Sequence, residues 1–502
     1  MSKPVIILYH PKKDSSSKVN SMPFSLLAIS AVIDQSDIDI KIIEGAFVKN
    51  IDEEIAKFAG KNILAAGVTA ITGPPILDAL RFARAIRKFN AKIPIIWGGS
   101  HPSINPIDTI KDDNVDYVIK GQGEIPFKKL IDALIKGQSP VDIAGLVMKK
   151  DGQIIDNPTE MPRKVSEFPE TPYNLIDIEK YVVPIQNLGK EGLIYVTSQG
   201  CPFNCKFCSD VVLYKNRWSG WPVERMMKDI RMFYYKYNID SVMFFDNNFF
   251  VDPKRVIDLC NSLIEEKIKI NWYADIRIDQ INKFKDDELK LIKDAGGTNF
   301  LVGTESGNNE ILQLLNKRIV VEDIITAAQK CKKVGIRMIH SFMSGFPEVY
   351  KQEFNDTLTL IERLRTIDNE TMVIMCTYAP YPGTELFDKY KEIVTMPKTL
   401  EQWSEYTQLN SNTNWMDAEH DNMLQSVSHF YVQCALSTQD TWKAIKLLGE
   451  KYILIKLAHR FFQTLAILRL RHKFYKFRIE EAMVNFPLKI RRGIIKTLKT
   501  LK

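Results

Sequence analysis

Cysteine is scarce in this chain of 502 residues: there are seven, and none precedes Cys201. An odd, sparse set with three members inside eight positions is no disulfide framework; it points to a metal site in a reducing compartment. Long hydrophobic runs are missing too. The apolar stretch 5–9 is too short for the core of a secretion signal and is followed by Lys12-Lys13-Asp14. The later stretch 452–470 is broken by Lys456, His459, Arg460 and Arg469, short of the roughly 18 uninterrupted residues that a membrane span needs. Low-complexity segments are absent, and 26% charged with 45% hydrophobic residues excludes a disordered or fibrous chain. What remains is a globular, cytoplasmic protein of two or three domains, at roughly 150 residues each.

Negative charge is nearly absent from the end of the chain. Residues 441–502 hold 16 basic and three acidic residues, a local +13, whereas the first 440 hold 52 basic and 58 acidic, a net −6. Within this tail, residues 451–468 have an amphipathic helical pattern with Lys456, His459, Arg460 and Gln463 on one side. Either the helix packs on the body with solvated charges, or it meets an anionic surface: membrane phospholipid, a lipid-like substrate or a partner protein. Nucleic acid is disfavoured, because no binding module accompanies the charge.

What is present is a double β-α alternation. Strand patterns at 5–9, 38–43, 63–69, 93–97 and 117–119 alternate with helical ones, the clearest at 76–88 and 125–136. This predicts a Rossmann-like parallel sheet over residues 1–138, whose ligand would lie beyond the carboxyl strand ends. Turn-forming residues stand at those ends: Thr69, Gly73, Gly98-Gly99, Gly121 and Gly123. A connector, 139–190, carries a hairpin signal at Asp151-Gly152 and a Pro-rich link. A second alternation begins at residue 193, with strands at 193–197, 241–246, 269–274, 299–303, 337–342 and 372–378. Six repeats predict a full or partial (β/α) barrel over 191–386, with its site at the C-terminal strand ends. Residues 387–502 read as mostly helical and end in the basic tail. The class is therefore α/β.

The sharpest motif lies just past the first strand of the second region: Cys201-Pro202-Phe203-Asn204-Cys205-Lys206-Phe207-Cys208. Three thiolates on a short loop can hold three irons of a cubane cluster and leave the fourth open to another ligand. A zinc site would want a fourth protein ligand, and the nearest histidines in sequence are the distant His101 and His340. Cys260, Cys331, Cys376 and Cys434 are scattered over predicted helices and strands and read as core.

The C-x3-C-x2-C spacing with Phe207 before the last cysteine resembles the signature of the radical S-adenosylmethionine (radical SAM) enzymes. That resemblance implies a 4Fe-4S cluster on Cys201, Cys205 and Cys208, with S-adenosylmethionine chelating the open iron. One electron from the cluster would cleave the sulfonium to methionine and a 5′-deoxyadenosyl radical. It also implies an electron donor such as flavodoxin or ferredoxin, and a role for Phe207 in seating the adenine. Asp246-Asn247 stands where the family carries two consecutive Asp near the methionine moiety. Gly303-Thr304-Glu305-Ser306-Gly307 resembles the motif whose Glu contacts the ribose. Pro380-Tyr381-Pro382-Gly383-Thr384, with Leu386, resembles a motif of the group that includes methylthiotransferases.

The first region is similar to the cobalamin-binding domain that precedes many of these enzymes. Thr69, Gly98, Gly99, Gly121, Gly123 and Glu124 are then the candidate corrin contacts. The Asp-x-His-x-x-Gly motif that supplies a cobalt ligand elsewhere is absent, so no His from it is expected on cobalt. The absence of cysteine before Cys201 argues against a methylthiotransferase with a second cluster. The leading expectation is a cobalamin-dependent C-methyltransferase acting on an unactivated carbon of a small or lipid-like metabolite. The alternatives are a radical cyclase or rearrangement enzyme, like the anaerobic porphyrin ring cyclases, and a cobalamin or redox sensor without turnover.

Overall fold

The computed structural model describes residues 3–13, 21–407, 414–432, 452–475 and 480. Five parallel strands, β1 (Val5–His10), β2 (Asp39–Glu44), β3 (Ile63–Thr69), β4 (Ile95–Gly98) and β5 (Tyr117–Ile119), lie in the order 2-1-3-4-5. β1 is apolar at consecutive positions because both its faces are covered. Ile7 and Tyr9 join one core with Leu80, Phe82 and Ile86 of helix Pro75–Phe89. Ile6 and Leu8 join the other with Phe127, Leu130 and Ile131 of helix Glu124–Lys136.

The hairpin does not stand in a separate connector. Its strands β6 (Leu146–Lys150) and β7 (Gln153–Asp156) extend this first sheet, with β6 antiparallel on β5. The reason is apolar on both faces: Val147 enters one core while Leu146 and Met148 enter the other. The turn residues Asp151 (φ 50°) and Gly152 (φ 76°) are both left-handed, as a two-residue hairpin with right-twisted arms requires.

The second sheet starts with β8 (Val183–Ile185), antiparallel to β9 (Gly189–Tyr195). A short ribbon, β10 (Ser198–Gly200) with β11 (Trp218–Gly220), brackets the cysteine motif. β12 (Ser241–Phe244), β13 (Asn271–Ile276), β14 (Gly297–Glu305), β15 (Arg337–Ser344) and β16 (Met372–Thr377) then continue parallel to β9. β8 and β16 occupy opposite edges of this seven-stranded sheet, so the barrel is of the partial kind. Alternation sorts its faces: Trp272, Ala274 and Ile276 enter the core under the helices, which turns Tyr273 and Asp275 to the inner face.

Two C-terminal elements tie back to the sheets. Leu400 and Trp403 of helix Leu400–Glu405, with Tyr406 beyond it, enter the core of the first sheet. Ala466 and Leu470 of helix Tyr452–His472 enter the core of the second. Among the described residues no helix is long and apolar enough to cross a membrane. Most of the basic tail, and Cys434, lie outside the described residues. Cys260 and Cys331 are fully buried, and Cys376 is half-buried on β16.

Candidate active site

The three motif cysteines share one loop between β10 and helix Asp210–Tyr214. Cys205 is buried, Cys201 and Cys208 are half-buried, and all three are unbridged thiols. Burial raises the Cys201 and Cys208 thiols, with the nearby Asp210 charge acting in the same direction. Binding to metal would reverse this, since a coordinated thiol is deprotonated. Among the described residues no three Cys, His, Asp or Glu side chains converge as ligands of a single ion do. Three unbridged thiols on one short loop suit a cubane cluster, which takes one at each of three irons, whereas a structural zinc site would want a fourth protein ligand.

Two side chains at the end of β12 hold the loop. Asp246 is buried and accepts from Thr197 N (2.6 Å), Thr197 Oγ1 (2.6 Å) and Ser198 Oγ (2.7 Å). Burial raises its carboxyl, and the Arg255 guanidinium acts in opposition. A carboxylate spent on three protein donors fixes the entry to the cysteine loop, whereas the family pattern places this Asp near the methionine moiety of a ligand. Asn247 spans the loop itself: its Oδ1 accepts from Gly200 N (3.3 Å) and its Nδ2 donates to Asp210 Oδ2 (2.6 Å). Here lies a physical reason for the departure from two consecutive Asp. Only an amide can donate to Asp210; a second carboxylate would repel it.

Glu305 closes β14 at a register shift, in the left-handed region at φ 66°. Such a conformation in a residue other than glycine costs about 1–3 kcal/mol and is tolerated where the surroundings enforce it. The enforcing partner is Lys317, whose Nζ lies 2.7 Å from Glu305 Oε1 with both side chains buried. Burial opposes the lysine charge, yet the Glu305 carboxylate and the Cys205 sulfur together raise the ammonium. Gly303 makes room for the pair, because a Cβ there would fall 2.4 Å from Glu305 Oε1 and 2.7 Å from Lys317 Nζ. Phe207 packs beside Ile311, Leu315 and Tyr378, with the Lys317 ammonium 5.8 Å over its ring.

Three site residues escaped the sequence reading. Lys317 follows a helix and belongs to no motif. Arg277 directly follows β13 and reaches Cys205 Sγ at 3.4 Å. Asp275, on the inner face of the sheet, has an Oδ1 with no hydrogen-bond partner, and burial together with the Asp246 charge raises its carboxyl to about 8. A polar residue at the C-terminal end of a strand was the available signal, and β13 lacked a glycine or motif to draw attention to it.

The six residues at the ends of the first sheet converge. Thr69, Gly98, Gly99, Gly121, Gly123 and Glu124 line one cleft of about 290 Å³, together with Gln199, Leu213 and Tyr214 from either side of the cysteine loop. Gly99 adopts φ 99°, and a Cβ on it would lie 2.7 Å from Ala70 O, so the chain turns sharply below the cleft. A Cβ on Gly98 meets nothing within 4 Å. The floor is apolar, with Val68, Ile96 and Ile119, and Gly98, Gly99, Gly121 and Gly123 present backbone along it, which fits a broad macrocycle. Burial raises the Glu124 carboxyl, which accepts from Gln199 Nε2 at 3.2 Å. Gln122 Nε2 in turn donates to Gln199 Oε1 at 2.9 Å, so the turn after β5 is hydrogen-bonded across the cleft to the ribbon strand β10 that leads into the cysteine loop. His10 pairs with Glu44, and the buried His101 faces Thr72 and Trp403.

Comparison with known proteins agrees with this division. The radical SAM superfamily model matches residues 195–361 and the B12 binding domain model matches residues 15–131. An uncharacterised methyltransferase of Pyrococcus horikoshii is 31% identical over 414 residues, covering 81% of this chain and 86% of the relative. An anaerobic magnesium-protoporphyrin IX monomethyl ester cyclase of Rubrivivax gelatinosus is 25% identical, covering 64% of this chain and 58% of its own. Among solved structures, the cobalamin-dependent S-adenosylmethionine radical enzyme OxsB with aqua-cobalamin and S-adenosylmethionine bound has the same fold. It has a TM-score of 0.72 at 16% identity, over 98% of this chain and 76% of that one. With its cysteine loop facing a cleft at the ends of the first sheet, the chain belongs to the radical SAM superfamily, as an enzyme of the methyltransferase-containing branch with a B12-binding domain, and its cofactors are a 4Fe-4S cluster, S-adenosylmethionine and cobalamin.

Proposed function

We propose that the enzyme methylates an unactivated carbon of a small or lipid-like metabolite. The observation that carries this reading is the shared cleft: Thr69, Gly98, Gly99, Gly121, Gly123 and Glu124 on one side, and Gln199, Leu213 and Tyr214 beside the cysteine loop on the other. A methyl carrier resting on the first sheet would there face the cysteine loop directly. When bound, the cofactors supply an electron, a radical precursor and a methyl group.

The chain's own residues then divide the work. Cys201, Cys205 and Cys208 hold the cluster. Asp246 and Asn247 keep their loop in register. Phe207, against its apolar wall, seats the adenine, and Glu305, fixed by Lys317, meets the ribose. Gln199 and Glu124 bind across the cleft, so the two cofactor sites keep one spacing. Asp275, on the inner face of the barrel beside Tyr273, keeps one carboxyl oxygen, Oδ1, able to hydrogen-bond a polar group of the substrate.

Lipid-like acceptors are favoured by helix Tyr452–His472. Its outer face exposes Leu457, Phe461 and Leu468, followed by Phe474 and flanked by Arg471 and Lys473, while Ala466 and Leu470 face the core. The similarity to the cyclase supports a second reading, ring closure or rearrangement on the same scaffold.

Anaerobic protein reconstituted with iron, sulfide and hydroxocobalamin should hold cobalt as well as iron. With methyl-labelled S-adenosylmethionine it should pass label to an acceptor in a lipid and metabolite extract. Iron without cobalt, or S-adenosylmethionine cleavage with no label in any product, would sink the methyl-transfer reading in favour of the cyclase. No 5′-deoxyadenosine at all would leave only a sensor.

A further inference from the structure

We propose that Arg277 is a positioning residue that sets the reduction potential of the cluster through Cys205. The inference rests on the reading that Cys201, Cys205 and Cys208 hold that cluster. Arg277 follows β13 directly and is buried. Each nitrogen of its guanidinium is engaged. Nη1 reaches Cys205 Sγ at 3.4 Å, Nη2 donates to Lys317 O at 2.7 Å, and Nε donates to Asp279 Oδ1 at 2.8 Å. The plane of the group lies 3.9 Å over Phe203, inside the cysteine motif. An arginine gripped from both the loop and the strand end cannot swing away, so its charge stays at the sulfur.

Charge accounting singles it out. Among the described residues two buried cations reach the motif itself, Arg277 at Cys205 and Phe203 and Lys317 over Phe207, while the buried Arg255 bonds Thr197 ahead of the loop and faces Asp246. Lys317 is matched by Glu305 at 2.7 Å. Arg277 has Asp279, but that carboxylate is 22% exposed and partly screened by solvent. The guanidinium is thus the cation in direct contact with a ligating sulfur. Reduction adds a negative charge to the cluster, and both net charge and hydrogen bonds to sulfur govern its potential. A buried positive charge favours the reduced state, in a medium where such an interaction is weakly screened. Arg277 therefore raises the potential, which makes the cluster easier to reduce, and Asp279 restrains that effect.

The sign can be tested in both directions with the full chain. Wild type, Arg277→Lys, Arg277→Gln and Asp279→Asn are reconstituted anaerobically, iron is counted, and the midpoint potential is read by electron paramagnetic resonance during redox titration. Arg277→Gln should disfavour the reduced cluster at least tenfold, a shift of about 59 mV downward for one electron. Arg277→Lys should lie between it and wild type, and Asp279→Asn should shift upward. A role confined to propping the loop would lower the iron content and leave the potential of the remaining clusters unchanged; that result overturns the proposal. If Arg277→Gln holds no iron, Asp279→Asn decides, and a wild-type midpoint there overturns the proposal. Failure of wild type itself to bind iron would overturn the cluster reading beneath it.

Discussion

Asn247 shows how one atom type can decide whether a loop closes. Its amide accepts from Gly200, just before Cys201, and donates to Asp210, just after Cys208. Burial already raises the Asp210 carboxyl. Asn247→Asp would place two carboxylates at hydrogen-bond distance with no donor between them, a destabilising arrangement unless one is protonated. We expect iron retention after anaerobic reconstitution to fall several-fold in Asn247→Asp. Asp210→Asn in the same chain should restore most of it, because either order of amide and acid makes the bond. Equal iron in wild type and the single variant would show that the clamp is dispensable. The sequence displayed this site only in part. Cysteine spacing was legible because it is local, whereas the Asp210 partner that explains Asn247 lies 37 positions away. Lys317 and Arg277 were invisible for the same reason: their meaning arises from contacts across strands, not from neighbours in the chain.

At the scale of elements, Glu353 joins β14, β15 and helix Tyr350–Ile367. Its fully buried carboxyl accepts from Ser306 Oγ (3.0 Å), Ser344 Oγ (2.5 Å) and Thr357 Oγ1 (2.8 Å). Burial outweighs these donors and raises the group from 4.5 to about 7. The folded state therefore favours the neutral acid. That stability is complete below about pH 4.5 and is lost as pH rises through about 7. At about 1.4 kcal/mol per pH unit the window is worth on the order of 3 kcal/mol. Glu353→Gln should remove this slope, so that urea midpoints at pH 5 and pH 8 differ less than in wild type; an unchanged difference would exclude the assignment. Element positions were largely legible beforehand, because buried parallel strands and amphipathic helices carry distinct periods. The hairpin was legible as a turn but not as a sheet edge. Asp151-Gly152 specifies the turn locally, while pairing with β5 depends on two cores that form only in three dimensions.

At the scale of the whole molecule, the division of charge acquires a surface. The acidic body contains both sheets and the cleft, while the described part of the basic tail presents Leu457, Phe461 and Leu468 outward. Apolar residues beside Arg471 and Lys473 suit the boundary of an anionic bilayer. Full-length protein should float with phosphatidylglycerol-containing vesicles and much less with neutral ones. Leu457→Ser with Phe461→Ser should abolish the difference at unchanged fold, since neither side chain is buried. Equal flotation of wild type on both vesicles would return the helix to packing alone.

The helix Leu400–Glu405 has a further consequence, in time rather than in space. Trp403 and Leu400 complete a core whose strands begin at Val5, and Arg84 pairs with Glu401 across 317 positions. A ribosome adding about 5–20 residues per second needs roughly 15–60 s to cover that distance. For that interval the first sheet has emerged while part of its covering is unmade, so the apolar surface that Trp403 and Tyr406 later cover is exposed to the cell. Synthesis and folding are thus out of step in the cofactor-binding half that is made first. The core of the first sheet is complete only after the whole second sheet has left the ribosome.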